Sequence, residues 1–130
     1  MRVPNLDPDL LTTYANTGVA ELVLPRVRSI GELTAAGAAL RYAPAGNRSR
    51  QVVPATAYGA DWDREVRVSV IIETVDAVSI AAEMAAHPLV AGVWIGPRDL
   101  EDDHLRQGLP VDMAGLVGEL TAGLRGAPSA

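Results

Sequence analysis

Two runs decide the fold: Arg67-Val68-Ser69-Val70-Ile71-Ile72-Glu73, and Val90-Ala91-Gly92-Val93-Trp94-Ile95-Gly96-Pro97-Arg98-Asp99. Each is a β-branched or apolar run that ends on or near a carboxylate. The Ala-rich segment from Val75 to His87 lies between them and reads as a helix, so Val66 to Leu100 is strand, helix, strand. Parallel strands joined by a right-handed connection bring Glu73 and Asp99 to the same end of one sheet. That C-terminal edge is where α/β proteins keep their chemistry. Two acids there suit a hard divalent cation; the alternative is a pair of ordinary polar residues at strand ends.

The chain before this stretch repeats the pattern. Asp7-Pro8 is a helix start, with Asp as N-cap and Pro at the first helical position. The helix runs to about Thr17, with Leu10, Leu11 and Tyr14 on one face, and Gly18 stops it. Glu21 to Leu24 is a strand ended by Pro25. Ser29-x-x-Glu32 is a capping box for a helix over about Ile30 to Leu40. Arg41 to Asp63 breaks the rhythm with Pro44, Gly46, Pro54 and Gly59, and a long irregular stretch in a compact domain is usually functional or mobile.

Beyond Val66, a helix from Val75 would place Val78, Ala81, Ala82 and Ala85 on one face. Glu101-Asp102-Asp103 reads as an acidic loop after the strand at 90–95. A last helix begins near Asp112 with Met113, Leu116, Val117, Leu120 and Leu124 as its apolar stripe. Four β-α units result, with strands near 2–4, 21–25, 66–72 and 90–95. Alternation of this kind implies a parallel sheet. A complete (β/α)₈ barrel takes about 200 residues or more, so the expectation for 130 residues is an α/β half-barrel, a partial TIM barrel. Residues 1–125 form its single domain, and 126–130 are expected to be a loose tail.

Composition closes several routes. Cysteine is absent, which excludes disulfides, thiolate zinc sites and cysteine nucleophiles. Lysine is absent too, and all 11 basic residues are arginine. Schiff-base aldol chemistry, PLP attachment and a P-loop are therefore excluded within this chain. The net charge of −5 argues against nucleic-acid binding. No apolar run reaches a membrane span, and the N-terminus lacks a signal-peptide layout, so a cytoplasmic location is expected. Tyr42, Tyr58, Trp62 and Trp94 are expected to pack rather than bind substrate.

Several motifs recur in order: Arg2-Val3-Pro4 with Asp7-Pro8; Gly18 to Val27; Arg41-Tyr42-x-Pro44-x-Gly46-x-Arg48; Ile72-Glu73-Thr74; and Ile95-Gly96-Pro97-x-Asp99-Leu100. In this they resemble the HpcH/HpaI-type metal-dependent 2-oxo-acid aldolases, the 4-hydroxy-2-oxoheptanedioate and 2-dehydro-3-deoxyglucarate aldolase family. Those enzymes are (β/α)₈ barrels related to the citrate lyase β subunit. The resemblance implies that Glu73 and Asp99 hold Mg²⁺ or Mn²⁺. It implies that Arg2 binds the 2-oxo acid and steadies an enolate oxygen. It also puts Arg48, Gly96 and Pro97 beside the substrate.

The departures are equally informative. The family's catalytic histidine and its partner acid precede the first strand matched here, and its final two β-α units have no counterpart. A glutamine two residues before the metal glutamate is Ile71 here, and Ser49 follows Arg48 where glycine is usual.

The resulting expectation is a metal-dependent lyase acting on pyruvate or a related small 2-oxo acid. The alternative is a catalytically inactive half-barrel that binds a ligand or partner. His104 is either a replacement base, since imidazole suits proton transfer near neutral pH, or a solvated loop residue. Arg2 is either a carboxylate ligand or part of a frayed terminus. The open edges of a four-unit sheet must be covered, by a second copy completing the barrel or by a companion chain.

Overall fold

The computed structural model describes residues 1–110 and 112–125, so the tail expected at 126–130 lies outside the described residues. The elements are α1 (Pro8–Asn16), β1 (Glu21–Leu24), α2 (Ile30–Leu40), β2 (Arg67–Ile72), α3 (Val75–Ser79), α4 (Ala81–Ala86), β3 (Val90–Ile95), α5 (Pro97–Arg106) and α6 (Met113–Arg125). A 3₁₀ segment, Pro54–Gly59, interrupts the long connection before β2.

Local chemistry sets the ends of these helices. The Asp7 carboxylate accepts from the Leu10 N–H, Ser29 Oγ accepts from the Glu32 N–H, and Thr74 Oγ1 accepts from the Ala77 N–H. Gly18 takes φ +87° just after α1, a left-handed turn that favours glycine.

The sheet is parallel, with strand order β1-β2-β3. Consecutive neighbours in a parallel sheet are the arrangement of a barrel, not of a doubly wound sheet. The first of the four expected strands is reduced to a single bridge from Arg2 to Val23. It is held by Val3 N donating to Val23 O and Val23 N donating to Met1 O, so the segment still lies on the free side of β1.

The two faces of the sheet differ. One carries Leu22, Leu24, Val68, Val70 and Ile72, which share a core with Leu11, Leu33, Leu40, Ala77, Met84, Leu100 and Leu120 from the helices. The other carries Glu21, Arg67 and Ser69, joined because Arg67 Nε and Ser69 Oγ both donate to Glu21 Oε2. Trp94 projects from the same face, since Ile71 pairs with it in register, and is 55% exposed. Every helix that feeds the core sits on one side. This is half of a barrel wall, with the concave side open.

Three expectations need correction. The acidic stretch after β3 is not a loop but helix α5; Pro97 stands at its first position and Asp99 in its first turn, both favourable at a helix start. The helix after β2 is broken at Ile80, and its buried residues are Ala77, Ala81 and Met84; of the expected face Ala81 is buried and Val78 packs against the core, while Ala82 is exposed. Tyr42 packs as expected, but Tyr58 and Trp94 are largely exposed.

Candidate active site at the C-terminal rim

Glu73 is the residue immediately after β2, so the strand delivers it to the C-terminal rim. It is a buried carboxylate, with its side chain 1% exposed. A buried charge is tolerated only when hydrogen-bonded and paired, and Glu73 is both. The Arg26 backbone N–H donates to Oε1 at 2.9 Å. Arg2 Nη2 lies 3.2 Å from each carboxylate oxygen. Arg2 reaches this point because its backbone bridges to Val23 in β1. Far from fraying, the N-terminal segment is fixed to the sheet.

Asp99 completes the group from the first turn of α5, with Oδ2 4.0 Å from the same Arg2 nitrogen. Its side chain is 59% exposed. Three segments, each leaving or lying beside a different strand, thus converge on one cationic atom. Gly96 permits the approach. A Cβ there would lie 3.2 Å from Ile71 Cγ2 and 3.3 Å from both Glu73 Cβ and Oε2. Gly96 therefore packs against the site, while Pro97 starts α5 and faces a separate surface groove with Arg98, Glu101 and Asp102.

Two other expected residues are not brought here. Arg48 is 6% exposed and belongs to the opposite end of the sheet. Helices in a β-α repeat run back from the C-terminal rim, so the loop after α2 falls where the strands begin. Arg48 Nη2 donates to Asn16 Oδ1 at 2.9 Å, Nη1 reaches Leu40 O at 3.4 Å, and the guanidinium lies 4.9 Å from the centre of the Tyr42 ring. Burial lowers its pKa from the ordinary arginine value, and Nε has no partner. Its loop closes the end of α2: Asn47 N donates to Ala38 O, and Arg48 N to Arg41 O.

His104 lies in α5, not in a loop. It is buried, with Nδ1 2.8 Å from Leu100 O, on the same packed side as Leu100 and Asp103. That geometry makes Nδ1 the protonated nitrogen, the only assignment that lets it bond a carbonyl. His104 does not line the cleft that holds Glu73.

That cleft, about 140 Å³, is lined by Arg2, Arg26, Arg28, Glu73, Thr74, Asp99 and Arg106. Arg26, Arg28, Thr74 and Arg106 were not singled out from sequence. The signal for the first two was present: they follow β1 directly, hence at the C-terminal rim. Arg106 pairs with Asp103, whose Oδ1 is 3.5 Å from Arg106 Nη2, and its side chain stays largely exposed. The Val75 N–H, 2.7 Å from Asp103 Oδ2, holds the Asp103 pKa below the usual carboxylate value, and Arg106 adds to the effect.

The donor set fits a hard cation. Two carboxylates flank one cation position, which Arg2 Nη2 takes here. Among the described residues, no group of three or more His, Asp or Glu side chains could hold a metal. Mg²⁺ accepts one or two protein carboxylates and fills its remaining positions with water or substrate.

The family model described as HpcH/HpaI aldolase/citrate lyase matches residues 1–110. The chain is 32% identical over 117 residues to a pyruvate aldolase of Rhizobium etli, covering 85% of this chain and 46% of that protein. It is 38% identical over 92 residues to a hydroxypyruvate/pyruvate aldolase of Sagittula stellata, covering 65% and 36%. Among solved structures, an HpcH/HpaI aldolase/citrate lyase family protein from Burkholderia cenocepacia superposes with a TM-score of 0.81 at 24% identity, over 99% of this chain and 55% of that one. Macrophomate synthase gives a TM-score of 0.75 at 24% identity, over 95% and 48%. The chain spans less than half the length of the curated relatives it matches.

Proposed function

The chain belongs to the HpcH/HpaI aldolase/citrate lyase family, and from that premise we propose that it carries the metal-and-carboxylate half of a 2-oxo-acid aldolase site. Residues 1–125 act as one unit in this reading. The substrate is pyruvate or a related small 2-oxo acid, and the reaction is carbon–carbon cleavage or condensation through an enolate. The observation that carries it is the convergence of Arg2, Glu73 and Asp99 on one point of the rim.

Glu73 and Asp99 would hold Mg²⁺ or Mn²⁺, which when bound supplies Lewis-acid stabilisation of charge developing on the substrate oxygen. Glu73 is aimed by the Arg26 N–H. Arg2 binds the substrate carboxylate, because a guanidinium recognises a carboxylate in a planar, two-pronged geometry and cannot act as a base. Gly96 keeps the wall beside Glu73 thin. The cleft is small, about 140 Å³, which favours a small acid over a CoA thioester.

A second reading has its own support. The His104 imidazole is bonded to Leu100 O and packed inside α5, so no histidine is among the cleft residues. On this reading the half-barrel binds a ligand without turning it over. Pyruvate in D₂O with Mn²⁺ separates the two. Metal-dependent loss of the methyl-proton NMR signal, reduced at least 100-fold in Glu73→Ala, supports enolisation. Exchange that persists in Glu73→Ala contradicts the assignment; no exchange with retained pyruvate binding favours the second reading.

The open concave face supports a homo-oligomer in the cytoplasm, with a second copy closing the barrel wall. Light scattering at micromolar concentration should report a dimer or larger assembly. A stable monomer contradicts it.

A further inference from the structure

Asp99 has little of its own to hold it in place. Its side chain is 59% exposed, and its ion pair with Arg2 Nη2 is long, at 4.0 Å. Gly96, before α5, supplies no side-chain cap. Where Asp99 sits therefore follows from how α5 lies. Leu100 seats the helix in the core, but apolar contact is non-directional. Two hydrogen bonds set the direction. At the start of α5, the Gly96 N–H donates to Ile72 O at 2.9 Å, which carries the β2–β3 pairing up to the helix. The second lies one turn beyond Asp99, at Asp103.

Asp103 follows Asp99 by four residues in α5, so the two side chains leave the same face of the helix. Asp103 Oδ2 accepts the Val75 N–H at 2.7 Å. Val75 is the first residue of α3 and stands two residues after Glu73. One hydrogen bond thus joins the segment that carries Asp99 to the segment that carries Glu73. The carboxylate that makes it is fixed in turn. Asp103 is 7% exposed, and burying a carboxylate is costly unless its oxygens are paired. Arg106 Nη2 lies 3.5 Å from Oδ1, and Gln107 Nε2 donates to Oδ2 at 3.2 Å. Both come from the C-terminal end of α5. They hold the carboxylate to its own helix while Val75 ties it to the next element. The start of α3 already has a side-chain cap, since Thr74 Oγ1 accepts the Ala77 N–H.

We propose that Asp103 is a positioning residue: its hydrogen bond to Val75 sets the spacing between Glu73 and Asp99, and through that spacing the affinity of the rim for a divalent cation. This rests on the metal reading given above. Asp103 is not among the residues that line the cleft, and it acts through Asp99 rather than on cation or substrate. Without the link, α5 keeps its core contact and its first hydrogen bond but is free to swing about Gly96. The two carboxylates then no longer hold one separation, and a cation must order them as it binds.

Titration of the full chain with Mn²⁺ alone tests this, followed by calorimetry and by the electron paramagnetic resonance signal of free Mn²⁺, with affinities read per folded molecule. Asp103→Ala should weaken Mn²⁺ binding about tenfold, the scale on which metal sites feel the loss of a supporting hydrogen bond. Asp103→Asn removes the same charge but keeps an oxygen for the Val75 N–H, and should bind close to wild type. Wild-type affinity in Asp103→Ala overturns the proposal. So do equal losses in the Ala and Asn variants, which would make the effect one of charge. Action through Asp99 also requires non-additivity. In an Asp99→Ala background, Asp103→Ala should change Mn²⁺ affinity by no more than about twofold, the scatter of independent sites; an undiminished loss there overturns the proposal. Arg48→Ala perturbs the far end of the sheet and should leave Mn²⁺ affinity unchanged; a loss matching that of Asp103→Ala would trace both to general destabilisation and overturn the positioning role. Glu73→Ala separates the two levels. If it binds Mn²⁺ as the wild type does, the metal assignment itself fails. If it loses Mn²⁺ while Asp103→Ala does not, only the positioning role fails.

Discussion

Arg2 and Arg48 stand at opposite ends of one sheet. Arg2 has a side chain 54% exposed and touches two carboxylates from two other segments. Arg48 is 6% exposed, and its donors go to Asn16 and the end of α2. Both fall in motifs shared with the same family, yet only one is available to a ligand. The lesson is that a guanidinium's role follows from what its donors already hold. At the rim the partners are charged, Glu73 buried and Asp99 exposed, and the guanidinium itself stays half open to solvent. At the other end they are structural, and the burial that fixes Arg48 also removes it from chemistry.

The largest stability effect should therefore come from the end without chemistry. Arg48→Ala empties a buried position, frees Leu40 O and removes one of the two guanidiniums over the Tyr42 ring, leaving that of Arg50. It should lose about 2 kcal/mol in urea unfolding. An unchanged midpoint would break the contrast. Gly96→Ala sharpens the rim side. The new Cβ meets Glu73 at 3.3 Å, and crowding of this size costs about 1 kcal/mol. Proton exchange of pyruvate should fall by about tenfold, since Glu73 is displaced from its aim; equal exchange would show that Glu73 has room to spare.

Asp103→Asn is the smallest change and depends on pH. Asp103 accepts the Val75 N–H at the start of α3 and tethers α5, which carries Asp99. Its folded pKa is lowered, first by that hydrogen bond. A carboxylate whose folded pKa is below its unfolded value, ordinarily about 3.9, stabilises the fold above that value and loses the effect as pH falls through the folded pKa. Asp103→Asn should cost about 0.5–1 kcal/mol near pH 6, and the difference in Tm from wild type should shrink below about pH 4. A difference that grows on acidification would contradict the assignment.

Much of this arrangement was legible in the sequence because local signals and chain direction agree. Asp7-Pro8 and Ser29 announce helix starts. Glu73 and Asp99 follow strands, so alternation alone sends them to one rim. Arg48 was misplaced because its motif was weighed above its position, although the same alternation places the loop after α2 at the far end. Helix α5 was missed because Glu101-Asp102-Asp103 interrupts any apolar period, leaving Leu100 and Leu105 on different sides of the helix. The start signal, Pro97 with Asp99, was there. The same interruption makes His104 read as a loop residue. The break at Ile80 depends on tertiary contacts that no local pattern carries.

Pyruvate affinity of Arg2→Ala and Arg48→Ala, measured by calorimetry in the presence of Mn²⁺, tests the rim site most directly. Arg2→Ala should weaken binding at least tenfold and Arg48→Ala should bind as the wild type does, both read per folded molecule, because Arg2→Ala also leaves the buried Glu73 carboxylate without its guanidinium. Equal binding by Arg2→Ala and wild type, or a selective loss in folded Arg48→Ala, would contradict the rim as the place where substrate is held.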